Sequence, residues 1–235
     1  MSARVFLIPT VLTDGQIDCL PAYMLKYIQQ CQVFFVENER TARRFLKLLW
    51  KEMVIDDFEW YNMQEVTTEI ENAFKQKLKE NKTIGIMSEA GCPGIADPGQ
   101  KLVAIAHQLN VIVKPFVGPN SILLALMGSG MNGQQFQFVG YLPISIADRV
   151  KSIKTLENES KQKNCTQIFI ETPYRNNQLL EILVKTCHPQ TRICVAVDLT
   201  SPQEFIRTTS VQEWKNKLPD MHKHPAIFLM YAGEI

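Results

Sequence analysis

Met87-Ser88-Glu89-Ala90-Gly91-Cys92-Pro93-Gly94-Ile95-Ala96-Asp97-Pro98-Gly99 follows an apolar, β-rich run over Thr83–Met87 and leads into a helical pattern over 99–109. Its glycines and prolines impose an irregular backbone that regular structure does not need. In open α/β sheets, ligands collect beyond the carboxyl ends of strands, where such a loop falls. Glycines let main-chain N–H and C=O groups come close to a ligand. Glu89 and Asp97 add acceptors for ribose hydroxyls or an amine. The same residues also suit a tight strand–helix connection with incidental acids, and composition alone leaves both readings open. The stretch is neither a phosphate loop, since no Gly-Lys-Ser/Thr follows, nor a Gly-x-Gly-x-x-Gly fingerprint.

Outward from this loop, β-rich runs alternate with helical periodicity. Strands are expected at 4–8, Val33–Val36, Thr83–Met87 and 111–114 in the first half, and at 136–139, Thr166–Ile170, Arg192–Val197 and Ala226–Tyr231 in the second. Helices are expected near 21–31, 39–50, 68–80, 99–109, 121–129, 146–158, 175–187 and 211–217, with capping boxes at Thr68-x-x-Glu71 and Ser210-x-x-Glu213. The alternation predicts an α/β protein with mixed sheets and flanking helices. A boundary is expected within 115–120, where Gly118-Pro119 breaks the chain, giving domains 1–116 and 117–235 with a ligand cleft between them.

The 235 residues, 46% hydrophobic and 21% charged, suffice for a buried core without disulfide or metal staples. With 25 basic and 24 acidic residues, nothing in the net charge of +1 argues for nucleic acid, so any such binding must use a local patch. The amino terminus carries no signal-peptide pattern, and no apolar run approaches the roughly 18–20 residues of a membrane span. The six cysteines are scattered without a Cys-x-x-Cys pair and read as reduced thiols. The four histidines lack zinc spacing, and no metal is expected. These features suit a cytoplasmic protein, and the chain's end near Ile235 suggests no appended domain.

Three further segments bear chemistry. Val117-Gly118-Pro119-Asn120-Ser121 precedes a small-residue helix, where Asn120 or Ser121 would cap and free N–H groups could meet a carboxylate. In Phe169-Ile170-Glu171-Thr172-Pro173-Tyr174-Arg175, Thr172 is expected to cap and Pro173 to take the first helical position. Glu171 beside Arg175 reads equally as a structural pair or a substrate clamp. After Glu37-Asn38-Glu39, the residues Arg40, Arg43, Arg44, Lys47 and Lys51 share a helical face, either a phosphate contact or a solvated surface.

Taken in order, these segments resemble the tetrapyrrole-methylase superfamily, and within it the ribosomal RNA small-subunit methyltransferase I group. That group's Ser-Asp-Ala-Gly-Thr-Pro-x-x-x-Asp-Pro-Gly is similar to Ser88–Pro93 and Asp97-Pro98-Gly99. Its Pro-Gly-Pro-Ser-Ala is similar to Val117–Ser121, and its Gly-Phe-Leu-Pro to Gly140-Tyr141-Leu142-Pro143. Its Tyr-Glu-Ser-Pro-His-Arg is similar to Ile170–Arg175, its Ala-Arg-Glu-Leu-Thr to Ala196-Val197-Asp198-Leu199-Thr200, and its Pro-Ala to Pro225-Ala226. The likeness runs over about residues 4–233. Two loops depart from the pattern. Thr-Pro-Ile-Gly-Asn-Leu is here Thr10-Val11-Leu12-Thr13-Asp14-Gly15, and Glu-Asp-Thr-Arg is here Glu37-Asn38-Glu39-Arg40.

The resemblance implies a homodimer of the two-domain tetrapyrrole-methylase fold that binds S-adenosylmethionine. It places the cofactor against Pro9, Glu89, Ala90, Gly91, Cys92, Ile95, Asn120, Ser121, Tyr141, Leu142, Glu171, Thr172, Ala196, Val197, Pro225 and Ala226, mostly through main chain. The implied activity is methylation of a ribose 2′-hydroxyl in ribosomal RNA or the small ribosomal subunit. Methyltransferase action on a small molecule or protein side chain, or binding of S-adenosylmethionine without catalysis, are the alternatives. Methyl transfer from a sulfonium rests mainly on in-line alignment, and a hydroxyl acceptor profits from a general base. Asp97, Glu171 and Glu37 are expected near the reaction with Arg175, while Arg40, Arg43 and Arg175 face substrate.

Overall fold

The structure, a computed structural model, describes residues 2–233. Its contacts separate two compact units, dividing between Asn120 and Ser121, four residues beyond the boundary expected from sequence.

The first unit is a parallel sheet. Its strands are β1 (Arg4–Leu7), β2 (Val33–Val36), β3 (Glu59–Asn62), β4 (Thr83–Met87) and β5 (Ile112–Pro115), in the order β3-β2-β4-β1-β5. Alternation along each strand feeds two cores. Phe6, Ile8, Phe34 and Val36 pack with Met24, Ile28, Phe45 and Leu46, whereas Val5, Val33, Phe35 and Ile84 pack with Phe74, Leu78, Leu102 and Ala106. Helices α1 (Leu25–Ile28) and α2 (Glu39–Leu49) therefore cover one face, and α3 (Thr68–Lys79) and α4 (Gln100–Gln108) the other. The chain leaves β1 toward β2 on one side and leaves the adjacent β4 toward β5 on the other. Their carboxyl ends form the kind of switch point where open α/β sheets bind ligands.

The second unit has a mixed sheet. Strands β6 (Phe136–Tyr141), β7 (Thr166–Ile170), β8 (Arg192–Val197), β9 (Phe205–Ser210) and β10 (Ala226–Tyr231) run in the order β6-β7-β10-β8-β9, with only β6 and β7 parallel. One face carries α6 (Ile146–Lys163), α7 (Asn176–Thr186) and α8 (Val211–Trp214) over a core of Ile153, Leu156, Phe169, Leu180, Trp214 and Phe228. Helix α5 (Ser121–Ser129) packs on β8, β9 and β10, and the Thr208 hydroxyl donates to the Ser129 carbonyl at 2.7 Å. Among the described residues, no helix is long and apolar enough to cross a membrane.

Several local expectations shift. The helix expected at 21–31 is a 3-10 turn, Ala22–Met24, running into α1. The cap of α3 is Thr67 rather than Thr68, accepting from the Ile70 amide at 3.4 Å, because Thr67 has the extended backbone a cap requires. Ser210 caps α8 and accepts from the Glu213 amide at 3.2 Å. Strands β3 and β9 were not expected. Both are sheet edges, and β3 owes its place to partners, with Trp60 stacked on Phe34 and Tyr61 on Phe35 at centroid distances of 4.9 and 4.7 Å.

Candidate functional site

In the first unit, three strand ends are knitted into one cluster. The Thr10 amide donates to the Gly91 carbonyl at 2.9 Å, its hydroxyl to the Ser88 carbonyl at 3.3 Å, and the Ser88 hydroxyl to the carbonyls of Ala90 and Gly91. The Cys92 thiol reaches the Pro119 carbonyl at 3.4 Å. Burial raises its pKa, the Asn120 side chain pulls it down by hydrogen bonding, and Asp97 adds a smaller upward push. Pro9 and Gly118 touch so closely that a Cβ on Gly118 would lie 2.2 Å from the Pro9 Cβ. The structure thus gathers Pro9, Glu89, Ala90, Gly91, Cys92 and Asn120, with Ile95 half-exposed on the same loop. The amides of Ala90, Gly91 and Cys92 donate to no group among the described residues. Main-chain donors left unpaired at a strand end are what a ligand-binding loop offers.

The loop's shape comes from Asp97. Its carboxylate accepts from the Gly94 amide at 2.8 and 2.9 Å and from the Gly99 amide at 2.8 Å. Gly94 has φ +84°, a conformation that costs glycine nothing. Burial raises the Asp97 pKa, against the downward pull of these two amides. Expected as a catalytic acid, Asp97 is instead a staple, with both oxygens committed to the backbone of its own loop.

Glu37 is different. It sits at the end of β2, half-buried, and one oxygen accepts from the Glu89 amide at 2.6 Å while the other has no partner among the described residues. Burial raises its pKa, the Glu89 amide lowers it, and the charges of Asp97 and Glu89 raise it further. Asn38 caps α2, accepting from the amides of Arg40 and Thr41 at 3.0 and 3.3 Å, so the change from the family's aspartate keeps the cap. On the basic face, Arg43 pairs with Glu39 at 2.6 Å and stacks over Trp60, Arg44 pairs with Asp14 at 2.7 Å, and Lys47 bonds the Lys51 and Met53 carbonyls. Arg43 was expected to face substrate; the structure ties its Nη2 to Glu39 and lays its guanidinium over Trp60. The Arg40 guanidinium has no partner among the described residues. A cavity of about 210 Å³ lies beside Glu89, bounded by Thr10–Leu12, Thr41, Arg44, Phe45 and Leu48.

In the second unit, register places the expected residues along one end of the sheet. Tyr141 pairs with Ile170, Ile170 with Ile227 and Ile227 with Ala196, so Leu142, Glu171, Pro225, Ala226 and Val197 are close to one line. Leu142, Ala196, Val197 and Ala226 bury their side chains, which leaves mainly backbone to meet a ligand. Ser121 opens α5. A register shift between Phe138 and Gly140 re-aims Tyr141, which is exposed, and the following loop. Beyond β7, Pro173 does not start the helix. Thr172 and Arg175 close a turn with a 2.9 Å bond, and α7 begins at Asn176 without a side-chain cap.

Glu171 is buried and fully engaged. One oxygen accepts from the Thr172 amide at 2.7 Å and from Arg175 Nε and Nη2 at 3.1 and 2.6 Å, and the other meets Arg149 Nη2 at 3.0 Å. Expected near the reaction, it is bound through both oxygens to two guanidinium groups and to its own loop's backbone, which makes it an anchor for Arg175 and Arg149. Arg175 keeps Nη1 without a partner among the described residues. Sequence reading missed Arg149. The signal was present, because Arg149, Ile153, Leu156 and Ser160 form the stripe that α6 buries, and a cation on such a stripe requires a carboxylate.

The model of the family described as Tetrapyrrole (Corrin/Porphyrin) Methylases matches residues 15–215. A ribosomal RNA small subunit methyltransferase I of Halalkalibacterium halodurans is 35% identical over 133 residues, 56% of this chain and 44% of that protein. The protein of the same name from Helicobacter pylori J99 is 30% identical over 195 residues, 76% of this chain and 64% of that one. The one from Bacillus subtilis is 27% identical over 216 residues, covering 91% and 70%. The chain thus spans about half to two thirds of the length of the first two of these relatives. Among solved structures, the methyltransferase CobJ aligns with a TM-score of 0.63 at 15% identity, covering 98% of this chain and 93% of that one. A uroporphyrin-III-C-methyltransferase from Thermus thermophilus aligns with a TM-score of 0.57 at 15% identity, covering 99% and 93%. At that identity the likeness establishes the fold.

Proposed function

Because the chain belongs to the tetrapyrrole (corrin/porphyrin) methylases, we propose that it is an S-adenosylmethionine-dependent methyltransferase whose acceptor is a ribose 2′-hydroxyl in small-subunit ribosomal RNA. The observation that carries the donor assignment is the unpaired amide row of Ala90, Gly91 and Cys92, set among Pro9, Gly118 and Asn120. Within the second unit, the family resemblance assigns donor contacts to the backbone edge of Leu142, Thr172, Val197 and Ala226. The acceptor assignment rests on the names of the relatives and on Arg40 and Arg175, each with guanidinium nitrogen left to meet phosphate.

When bound, S-adenosylmethionine supplies an activated methyl group and its own leaving group. The chain's part is alignment and removal of one proton. Of the three acids expected near the reaction, Glu37 alone combines a free oxygen with a pKa raised by burial, which suits it as general base. Asp97 holds the loop that carries the donor contacts, and Glu171 holds Arg175. Assembly as a homodimer and a cytoplasmic location are part of the same proposal and follow the family resemblance.

The test has two stages. Titration with S-adenosylhomocysteine should give saturable binding. Incubation of undermethylated small subunits with methyl-labelled donor should then place label on ribosomal RNA at a nucleotide whose 3′ bond resists alkaline cleavage, since that cleavage needs a free 2′-hydroxyl. Label on a base, a protein or a small molecule would replace the acceptor assignment. No binding of S-adenosylhomocysteine would remove the donor assignment as well.

A further inference from the structure

Arg149 sits in the first turn of α6, 1% exposed, on the stripe that the helix buries with Ile153 and Leu156. Its Nε donates to the Pro143 carbonyl at 2.8 Å and its Nη2 meets Glu171 at 3.0 Å. A guanidinium in a core is expensive to desolvate, and well-packed apolar side chains commonly stabilise such positions as well or better. Stability alone therefore gives little reason for a cation here. What the cation adds is geometry. A planar fork with fixed donor directions ties the segment after β6, just past the register shift, to the carboxylate at the end of β7. Glu171 in turn fixes the Thr172 amide and Arg175. Two separate pieces of backbone, one after β6 and one after β7, are thus tied to α6 by one buried side chain.

We propose that Arg149 is a positioning residue for donor binding, locking the Leu142-Pro143 segment and the Glu171–Thr172 segment into the arrangement that meets S-adenosylmethionine. This rests on the reading that these segments contact the donor. Arg149 itself touches neither donor nor acceptor. Lysine at this position would keep the charge but offer a point donor in place of the fork, so the Pro143 and Glu171 contacts would no longer be held in fixed relative directions.

The experiment compares the parent with Arg149→Lys, Arg149→Gln, Glu171→Gln and the Arg149→Lys/Glu171→Gln double variant. Binding of S-adenosylhomocysteine is measured by calorimetry, folding by circular dichroism and thermal melting, and steady-state kinetics under varied donor. Arg149→Lys should stay folded and weaken S-adenosylhomocysteine about ten- to hundredfold, the size expected for about one well-placed hydrogen bond to the ligand lost. The donor KM should rise while kcat at saturating donor stays within about twofold, the pattern of lost uniform binding. The double variant should lose less than the two single losses combined, since both variants break the shared Arg149–Glu171 contact. Parent-like binding by Arg149→Lys and Arg149→Gln would overturn the proposal. So would a fall in kcat without a change in KM, or collapse of the fold in both variants, which would make the residue simply structural. Failure of the parent itself to bind S-adenosylhomocysteine would instead strike the donor reading beneath it.

Discussion

Replacing Gly118 with alanine should loosen the cluster that holds the first unit's strand ends. The added Cβ would meet Pro9 Cβ at 2.2 Å and Cγ at 2.3 Å, against about 3.5 Å for an ordinary carbon contact. Separation must therefore grow by about 1.3 Å. The proline ring cannot swing aside, so the adjustment falls on backbone. Gly118 does not have a positive φ, and the cost is collision rather than conformational strain. Overpacking of this kind costs about 1–3 kcal/mol, which for a chain of this length lowers Tm by about 2–12 °C. The moving segment carries the Pro119 carbonyl that Cys92 contacts, so S-adenosylhomocysteine affinity should fall about ten- to hundredfold, as for about one displaced hydrogen bond. Tryptophan fluorescence in a Trp214→Phe background isolates Trp50 and Trp60, which both lie in the first unit. Pro9→Gly removes the struck atoms, so combining it with Gly118→Ala should restore part of both losses, read as a coupling energy in a double-mutant cycle. A Gly118→Ala protein that melts within about 1 °C of the parent, with no coupling to Pro9→Gly, would refute the close-approach argument.

Glu37→Gln should lower kcat about 10²–10⁴-fold if Glu37 is the base, and should flatten the rise of rate with pH. In the parent that rise should lie above the ordinary carboxylate range, because burial and the neighbouring acids raise the Glu37 pKa. The same shift has a stability consequence. A carboxyl whose pKa is raised on folding binds protons more tightly in the folded state. Its contribution is therefore largest below the unfolded value of 4.5 and declines as pH climbs through the raised one. Melting curves should show Glu37→Gln gaining on the parent from acid toward neutral pH, and a constant difference would count against the shift. Arg40→Ala should leave S-adenosylhomocysteine binding intact and reduce the salt slope of RNA binding by about one, measured by filter binding over a series of salt concentrations. Thr67→Ala should cost about 1 kcal/mol by loss of the α3 cap, and Thr68→Ala distinctly less, a difference that urea titration can resolve.

Much of the scaffold was legible because its signals are local. The central strands are short apolar runs, the helices show their own periodicity, and the loop from Ser88 to Gly99 announces itself by glycine and proline. Two of the four edge strands were not, since Glu59–Asn62 and Phe205–Ser210 become strands only by pairing with neighbours on β2 and β8. The acids were legible as a set but not in their roles. Asp97, Glu171 and Glu37 look alike in a sequence, and what separates them is which backbone amides and guanidinium groups occupy their oxygens. Arg43 likewise reads as a free charge until Glu39 and Trp60 claim it.

By itself the sequence determined the α/β class, the order of eight of the ten strands and of the longer helices, and the irregular loop after β4, because periodicity and backbone-restricting residues act over a few positions. Only the tertiary structure decided which carboxylate stays free, which arginine is consumed, and that a cation in the first turn of α6 braces a strand end twenty-two residues away (149 to 171). Those outcomes depend on partners brought together from distant parts of the chain, and pairing of charges at 3 Å is a property of the fold that no local pattern encodes.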